Sequence, residues 1–169
     1  IRELLNHLCD IVAYMPIDIS REHLMRSACE LSADYPDLDI MPVCADYTNG
    51  VTLPANGHPT SRRSVYFAGS TIGNFEPAEA VALLRGIRGK CGPAGGVLIG
   101  VDVWKDPAIL HAAYNDREGV TAEFNLNLLR RFNRELGADF DLVSWRHEAR
   151  VNEQQRRVEM HLVSDREQT

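Results

Sequence analysis

Two aspartates stand at the ends of apolar, strand-forming segments. Asp18 lies next to the last residue of the segment of residues 11–19, and Asp46 follows the segment of residues 38–44. In open α/β sheets, ligands bind outside the carboxyl ends of the strands. There, Asp18 could accept hydrogen bonds from ribose hydroxyls, Asp46 could accept one from an adenine amine, and Tyr47 offers a flat ring. Asp is also common at strand ends as a turn or capping residue. The pattern alone therefore allows both a nucleoside site and a structural role.

A third apolar segment, residues 65–68, runs into a turn of two glycines, two hydroxyl side chains and an amide. Gly69 would let the backbone approach a ligand closely, and Asn74 can donate and accept hydrogen bonds at once. The same turn could simply cap the helix that Pro77 opens. Tyr114 ends a later apolar helix, where packing in the core is the usual role for a tyrosine.

Other kinds of site are not indicated. The serines, cysteines, histidines and acids show no spacing typical of nucleophilic catalysis, and there is no phosphate-binding P-loop. The cysteines form no C-x-x-C pair and the histidines show no ligand spacing, so we predict no metal site. We expect free thiols, in a cytoplasmic protein, at Cys9, Cys29, Cys44 and Cys91, and ordinary surface or packing roles for all six histidines.

Composition narrows the class of protein. The 169 residues are enough for one domain with a sizeable core. A net charge of −6 argues against a nucleic-acid partner, and no stretch is apolar enough to span a membrane. An apolar stripe of helical period starts at Ile1 with no capping residue before it. We therefore expect the sequence to be part of a longer protein.

The elements that must position these side chains alternate between strands and helices, which predicts an α/β fold with a parallel sheet. The near-continuous apolar strand at residues 97–103 is typical of a sheet covered on both faces. The end of the chain changes to an antiparallel hairpin, residues 140–151 and 157–163, because one strand alternates apolar and polar residues. The helices are predicted after Ser20, after Glu76, at residues 107–114 and at residues 120–136.

Several motifs in order carry a family resemblance. They are Tyr-Met-Pro-Ile-Asp-Ile-Ser at 14–20, Gly-Ser-Thr-Ile-Gly-Asn-Phe at 69–75, Gly-Val-Asp at 100–102 followed by Lys105-Asp106, Ala-Tyr-Asn-Asp at 113–116, Gly-Val-Thr at 119–121 and Phe-Asn-Leu-Asn at 124–127. Together they resemble the histidine-specific S-adenosylmethionine-dependent methyltransferases, which make trimethylhistidine (hercynine) in ergothioneine biosynthesis. The resemblance covers nearly the whole chain. A fungal relative that methylates an indole-alkaloid amine has the same framework.

The resemblance implies a Rossmann-like class I methyltransferase core, a mostly parallel sheet with a C-terminal antiparallel hairpin. It implies S-adenosylmethionine as cofactor and a small-molecule substrate, L-histidine or a related amine. No residue is expected to act as a strong base. The implied cofactor contacts are Asp18 for the ribose, Asp46 and Tyr47 for the adenine, and Gly69 and Ser70 for the pocket wall; the implied substrate contacts are Asn74 and Tyr114 for the carboxylate and Met160 for the wall of the site.

The sequence departs from the family pattern at both ends. The family's first strand and glycine-rich loop would precede Ile1, and its substrate-reading acid and serine would follow Thr169. We therefore expect residues 1–169 to be a partial core, and the isolated chain to bind negligible S-adenosylmethionine. Three other functions remain: an N-methyltransferase for another amine, a dinucleotide-dependent oxidoreductase, for which no glycine-rich loop or hydride-site acid is visible, and a non-catalytic Rossmann-like module.

Overall fold

A computed structural model of the chain describes residues 1–167. The backbone divides into two compact units, Ile1–Val101 and a second unit that begins at Asp102. Within residues 1–167, the strands form four two-stranded sheets, of which three are parallel and one is antiparallel. The fold is thus mixed α/β, with small parallel sheets and a C-terminal antiparallel hairpin.

The first unit begins with a short helix and two parallel strand pairs. Two prolines shape the pairs, because Pro16 and Pro42 interrupt the single strands predicted at 11–19 and 38–44. Pro16 accepts a hydrogen bond from Val43 N at 2.9 Å but has no N–H to donate in return. β1 therefore pairs with β3, and β2 separately with β4. The elements are α1 (Arg2–Leu5), β1 (Ala13–Tyr14), β2 (Ile17–Asp18), α2 (Arg21–Asp34), β3 (Asp39–Ile40) and β4 (Val43–Cys44).

The helix α2 confirms its predicted apolar face. Leu24, Ala28 and Leu31 recur at helical spacing and are buried, each with 4% of its surface exposed. Tyr35 closes the helix with a hydrogen bond from its N–H to Leu31 O at 2.9 Å, and Pro36 follows. The helix carries the chain back from the end of β2 to the start of β3, as a parallel connection requires.

The rest of the first unit is a β-α-β segment. β5 (Ser64–Phe67) pairs in parallel with β6 (Gly96–Ile99), and α3 (Pro77–Cys91) lies between them in sequence. α3 starts at the predicted place, with Pro77 in its first turn and a capping box formed by Glu76 and Glu79.

The strand predicted at residues 97–103 ends early, at Ile99. The last hydrogen bond between β6 and its partner strand β5 runs from Gly100 N to Phe67 O at 2.9 Å. Beyond it, the backbone that follows β5 turns away at Gly69, which has a φ of +71°. Leu98, in the middle of this strand, is 54% exposed, so residues 1–167 do not by themselves cover both faces of the strand.

The second unit is a helical pair on a β-hairpin. α4 (Pro107–Tyr114) and α5 (Val120–Leu136) match their predicted bounds, and Gly137 ends α5 with a φ of +67°. β7 (Trp145–Asn152) and β8 (Arg157–Ser164) form the predicted antiparallel hairpin.

The first strand of the hairpin starts later than predicted, because residues before Trp145 form a short 3-10 turn, Leu142–Ser144. Asp141 caps this turn by accepting hydrogen bonds from Val143 N and Ser144 Oγ. All four cysteines are free thiols. Across residues 1–167, no helix is both long enough and apolar enough to cross a bilayer.

Candidate functional site

The two predicted aspartates lie at one edge of the first unit. β2 and β4 run in parallel with Asp18 opposite Cys44, and Ala45 N donates to Asp18 O at 3.1 Å. Asp46 lies two residues beyond Cys44, which is about 7 Å further along the strand direction. Both carboxylates thus occupy the carboxyl ends of neighbouring parallel strands, where the sequence placed them.

Asp18 has a structural contact and a remaining acceptor. Its Oδ1 accepts a hydrogen bond from Ser20 N at 2.7 Å, which is the turn role that the sequence also allowed. Its Oδ2 has no hydrogen-bond partner among residues 1–167, and the residue is half-buried. An ionised carboxylate accepts through both oxygens. Asp18 can therefore stabilise its own turn and still accept from a ligand hydroxyl.

Asp46 caps the 3-10 helix Tyr47–Asn49. Its Oδ1 accepts from Thr48 Oγ1 at 2.6 Å and from Thr48 N at 2.9 Å, and its Oδ2 accepts from Asn49 Nδ2 at 2.6 Å. These bonds, with that from the Thr48 hydroxyl the largest cause, lower the pKa of Asp46 below its ordinary value. Because they favour the ionised form, Asp46 presents a fixed negative charge and only hydrogen-bond acceptors at this edge.

Tyr47 links the end of β4 to the end of β5. Its ring packs edge-on against the ring of Phe67, with the centroids 5.9 Å apart and an interplanar angle of 80°. Such edge-to-face pairs are favourable because the positive ring edge meets the negative ring face. Phe67 is the last residue of β5. The contact therefore brings Tyr47 beside the strand that leads into Gly69 and Ser70.

Gly69 and Ser70 form a tight turn after β5. Both residues have a left-handed backbone conformation, with φ values of +71° and +55°. Thr71 Oγ1 donates to Ala68 O at 3.0 Å and Gly73 N donates to Ser70 O at 2.9 Å, which holds the turn together. The positive φ at position 69 favours glycine, because residues with a side chain rarely adopt this backbone conformation. Because Gly69 has no Cβ, its backbone has no side chain of its own to keep a ligand at a distance.

Asn74 closes the short 3-10 helix Thr71–Asn74 that follows this turn. Its side chain is exposed and has no hydrogen-bond partner within residues 1–167. A primary amide carries two donor hydrogens and one acceptor oxygen. Asn74 can therefore offer both donors to a ligand, and in particular to a carboxylate.

In the second unit, Tyr114 and Met160 lie on either side of one residue of the hairpin. Tyr114 is the last residue of α4, and its neighbour Asn115 hydrogen-bonds to both backbone groups of Ala149. Ala149 is the register partner of Met160 across the hairpin. Tyr114 is 39% exposed and Met160 is 41% exposed, so both remain accessible.

Three residues that support Tyr114 have no role predicted from the sequence. Asn115 and Asn125 belong to the quoted motifs without an assigned function, and His147 was expected to have an ordinary surface or packing role. The structure instead joins them in hydrogen bonds that reach Tyr114, Ala149 and His161. Histidine, cysteine and acidic side chains among residues 1–167 form no group that could hold a metal ion.

The motifs that form these turns match a known family over the whole chain. A family model described as "Histidine-specific methyltransferase, SAM-dependent" matches residues 1–169. The chain belongs to this family of S-adenosylmethionine-dependent methyltransferases. The match includes every residue of both units that the sequence predicted to contact cofactor or substrate.

Individual members of the family are similar at moderate identity. The chain is 38% identical over 164 residues to a histidine N-alpha-methyltransferase of Mycobacterium tuberculosis and 39% identical over 150 residues to that of Mycolicibacterium smegmatis. These alignments cover 96% and 88% of the chain, and 50% and 46% of the relatives. It is also 35% identical to ergothioneine biosynthesis protein 1 of Neurospora crassa, over 80% of the chain and 15% of that protein. The chain thus spans about half the length of the bacterial relatives.

Proposed function

We propose that the protein transfers methyl groups from S-adenosylmethionine to the α-amino group of L-histidine, giving trimethylhistidine in ergothioneine biosynthesis. The observation that carries this proposal is the family match over residues 1–169, which spans the carboxyl-end turns with Asp18, Asp46 and Gly69. Two bacterial relatives named histidine N-alpha-methyltransferase support the substrate. The relative named ergothioneine biosynthesis protein 1 supports the pathway.

The residues at the carboxyl ends of β2, β4 and β5 fit a nucleoside-containing cofactor. Asp18 retains an acceptor oxygen for ribose hydroxyls, and Asp46 is an ionised acceptor suited to an adenine amine. Tyr47 supplies an aromatic surface beside it. Gly69 offers backbone without a side chain, and Ser70 follows in the same turn. We therefore assign these five residues to the cofactor.

When bound, S-adenosylmethionine supplies a methyl group already activated by its positively charged sulfur. The carboxylates at this edge add favourable electrostatics for that positive charge. The chain's own residues then have only to bind, orient and desolvate the two reactants. Bringing two reactants together in the right orientation accounts for a large part of the barrier in a bimolecular step.

We assign Asn74 and Tyr114 to the carboxylate of the substrate and Met160 to the wall of the substrate site. Asn74 has both amide hydrogens free for such an acceptor, and a tyrosine hydroxyl can also donate. Both act by orientation. The attacking amine must be neutral, and an α-amino group, with a pKa of about 8 or above, can lose its proton to bulk water before it reacts. No dedicated strong base is needed.

We further propose that the three parallel strand pairs are parts of one Rossmann-like class I core. The parallel pairing, the β-α-β segment and the terminal hairpin support this assignment. The free thiols at all four cysteines support a reducing, cytoplasmic location for the reaction.

A methylation assay of the full-length protein tests the function. The protein is incubated with methyl-labelled S-adenosylmethionine and, separately, histidine, monomethyl- and dimethylhistidine, tryptophan and tryptamine. We expect label in the histidine series, with trimethylhistidine as the final product by mass spectrometry. Transfer to a tryptophan-derived amine in preference to histidine would support the other-amine function. Absence of transfer to any amine, with NAD(P)H binding instead, would support the oxidoreductase.

A further inference from the structure

His147 connects three elements of the second unit. It lies on β7, and its Nε2 is 2.8 Å from the carbonyl oxygen of Tyr114 at the end of α4. Its Nδ1 is 3.0 Å from Nδ2 of Asn125 on α5. Both ring nitrogens are therefore engaged, one towards each helix. A histidine with only a packing role would not need both partners.

These partners define the protonation of the imidazole. The Tyr114 carbonyl can only accept, so the hydrogen must be on His147 Nε2. Asn125 Nδ2 also lies 3.0 Å from the carbonyl oxygen of His161, which can only accept as well. This second contact orients the amide, whose two hydrogens then point to His161 O and to His147 Nδ1. Nδ1 must therefore be unprotonated, and His147 is neutral with its hydrogen on Nε2.

The carbonyl that His147 holds needs an external partner. The last four carbonyls of a helix have no intrahelical donor, and Tyr114 is the final residue of α4. Its neighbour Asn115 forms hydrogen bonds of 2.9 and 3.0 Å to the backbone of Ala149, which lies two residues after His147 on β7. The backbone on the carboxyl side of Tyr114 is thus attached to β7 at two successive points.

We propose that His147 is a positioning residue for substrate binding: as the neutral tautomer with its hydrogen on Nε2, it holds the Tyr114 carbonyl and thereby fixes where the Tyr114 side chain lies. Asn125 is its partner, because its amide stabilises this tautomer. This inference rests on the proposed function, in which Tyr114 contacts the carboxylate of the substrate. His147 itself need not touch either reactant.

The first test measures the tautomer and is independent of any substrate. Two-bond ¹H–¹⁵N spectra of the full-length protein separate protonated from unprotonated ring nitrogens, and the loss of one set of signals in His147→Gln assigns them. At mildly alkaline pH we expect a protonated Nε2 and an unprotonated Nδ1. A hydrogen on Nδ1, whether in the other neutral tautomer or in the imidazolium, would overturn the proposal.

The second test uses two variants that each keep one ring nitrogen's function. His147→Gln places its amide nitrogen near Nε2 and can still donate to Tyr114 O. His147→Asn places its polar atoms near Nδ1 and cannot reach that carbonyl. We expect the KM of the amino-acid substrate to rise about tenfold in His147→Asn and by much less in His147→Gln, as loss of one hydrogen bond predicts. Affinity for S-adenosylmethionine should stay within about twofold in both.

A matched histidine controls for the substitution itself. His23 is exposed on α2 in the first unit and, among residues 1–167, hydrogen-bonds only to Arg26, so His23→Asn should leave KM and kcat unchanged. An equal KM for the wild type and a folded His147→Asn would overturn the proposal, and so would equal losses in His147→Gln and His147→Asn. Both outcomes leave the proposed function standing if histidine is still methylated. Conversely, a different preferred amine would refute the substrate assignment while the tautomer result still stands.

Discussion

The side-chain amide of Asn115 forms hydrogen bonds to both backbone groups of Ala149. Asn115 Nδ2 donates to Ala149 O at 3.0 Å, and Asn115 Oδ1 accepts from Ala149 N at 2.9 Å. An edge strand normally leaves such groups unpaired. Since Ala149 is only 3% exposed, water cannot replace this partner easily. The side chain of Asn115 therefore satisfies the two backbone groups that a further strand would otherwise pair with.

Asn115→Ala should destabilise the protein by about 2 kcal/mol, because it leaves a buried N–H and a buried C=O of Ala149 without partners. Asn115→Asp should also destabilise, since its carboxylate can accept from Ala149 N but repels Ala149 O. Urea denaturation of the full-length protein measures both. Asn127 is the control, because it is exposed on α5 without a hydrogen bond in the described chain. Equal stability changes in Asn115→Ala and Asn127→Ala would contradict this role.

Asp116 should contribute stability that depends on pH. Hydrogen bonds from the Thr121 side chain, and then from the N–H groups of Thr121 and Val120, lower its pKa from 3.8 to about 2. A folded pKa below the unfolded one means that the stabilisation is complete above about pH 4 and is lost as the pH falls towards 2. Asp116→Asn should therefore be less stable than wild type at neutral pH, with the difference shrinking through this window.

Thermal denaturation of wild type and Asp116→Asn at several pH values measures that difference. Asp139 is a suitable control, because it is exposed and forms no hydrogen bond or ion pair within residues 1–167. Asp139→Asn should show no such pH-dependent difference. If the gap between wild type and Asp116→Asn were the same at pH 7 and near pH 2, the hydrogen bonds would not depend on the carboxylate charge.

Two adjacent glycines before and within β6 should respond very differently to alanine. A Cβ on Gly95 would collide with the carbonyl oxygens of Arg63 and Cys91, which are backbone atoms and cannot move aside cheaply. A Cβ on Gly96 would meet nothing within 4 Å. We expect Gly95→Ala to destabilise the protein by about 3 kcal/mol, while Gly96→Ala is close to neutral. Similar denaturation midpoints for the two variants would show that the backbone around Gly95 can adjust.

Much of the secondary structure follows from local patterns. Leu24, Ala28 and Leu31 repeat at helical spacing, and the hairpin strand at residues 157–163 alternates apolar and polar residues, so α2 and β8 could be located from sequence. Strand ends were less predictable. The length of β6 depends on its partner strand β5, after which the backbone turns away at Gly69. The first two predicted strands are each split because Pro16 and Pro42 have no N–H to donate to a neighbouring strand.

The candidate site could be predicted only where a general rule applied. Asp18 ends its strand, and Asp46 and Gly69 each follow one by two residues, so the strand-end rule selected them. The contacts of Tyr47 with Phe67 and of His147 with Tyr114 join residues that are distant in sequence and depend on how the elements pack. No local pattern distinguishes His147 from a surface histidine, because its role is defined by a carbonyl and an amide on other elements.

Asn74→Ala should weaken substrate binding selectively. The Asn74 side chain has no hydrogen-bond partner in residues 1–167, so truncating it removes no described structural contact. We expect the dissociation constant of histidine to rise at least about tenfold, because a charge-assisted hydrogen bond to its carboxylate is lost. Titration calorimetry of the full-length protein with each ligand measures this. Equal loss of affinity for histidine and S-adenosylmethionine would contradict the assignment of Asn74 to the substrate.

Asp18→Asn should produce the opposite selectivity. The amide oxygen can still accept from Ser20 N, so the turn is retained, while the charged acceptor proposed for the ribose hydroxyls is lost. We expect affinity for S-adenosylmethionine to fall by about tenfold, and affinity for histidine, measured at saturating cofactor, to change little. Asp37→Asn controls for the loss of charge, since Asp37 is exposed in the turn after α2 and has no hydrogen bond among the described residues. If Asp18→Asn and Asp37→Asn bound the cofactor equally well, the carboxylate of Asp18 would have only its structural role in the turn.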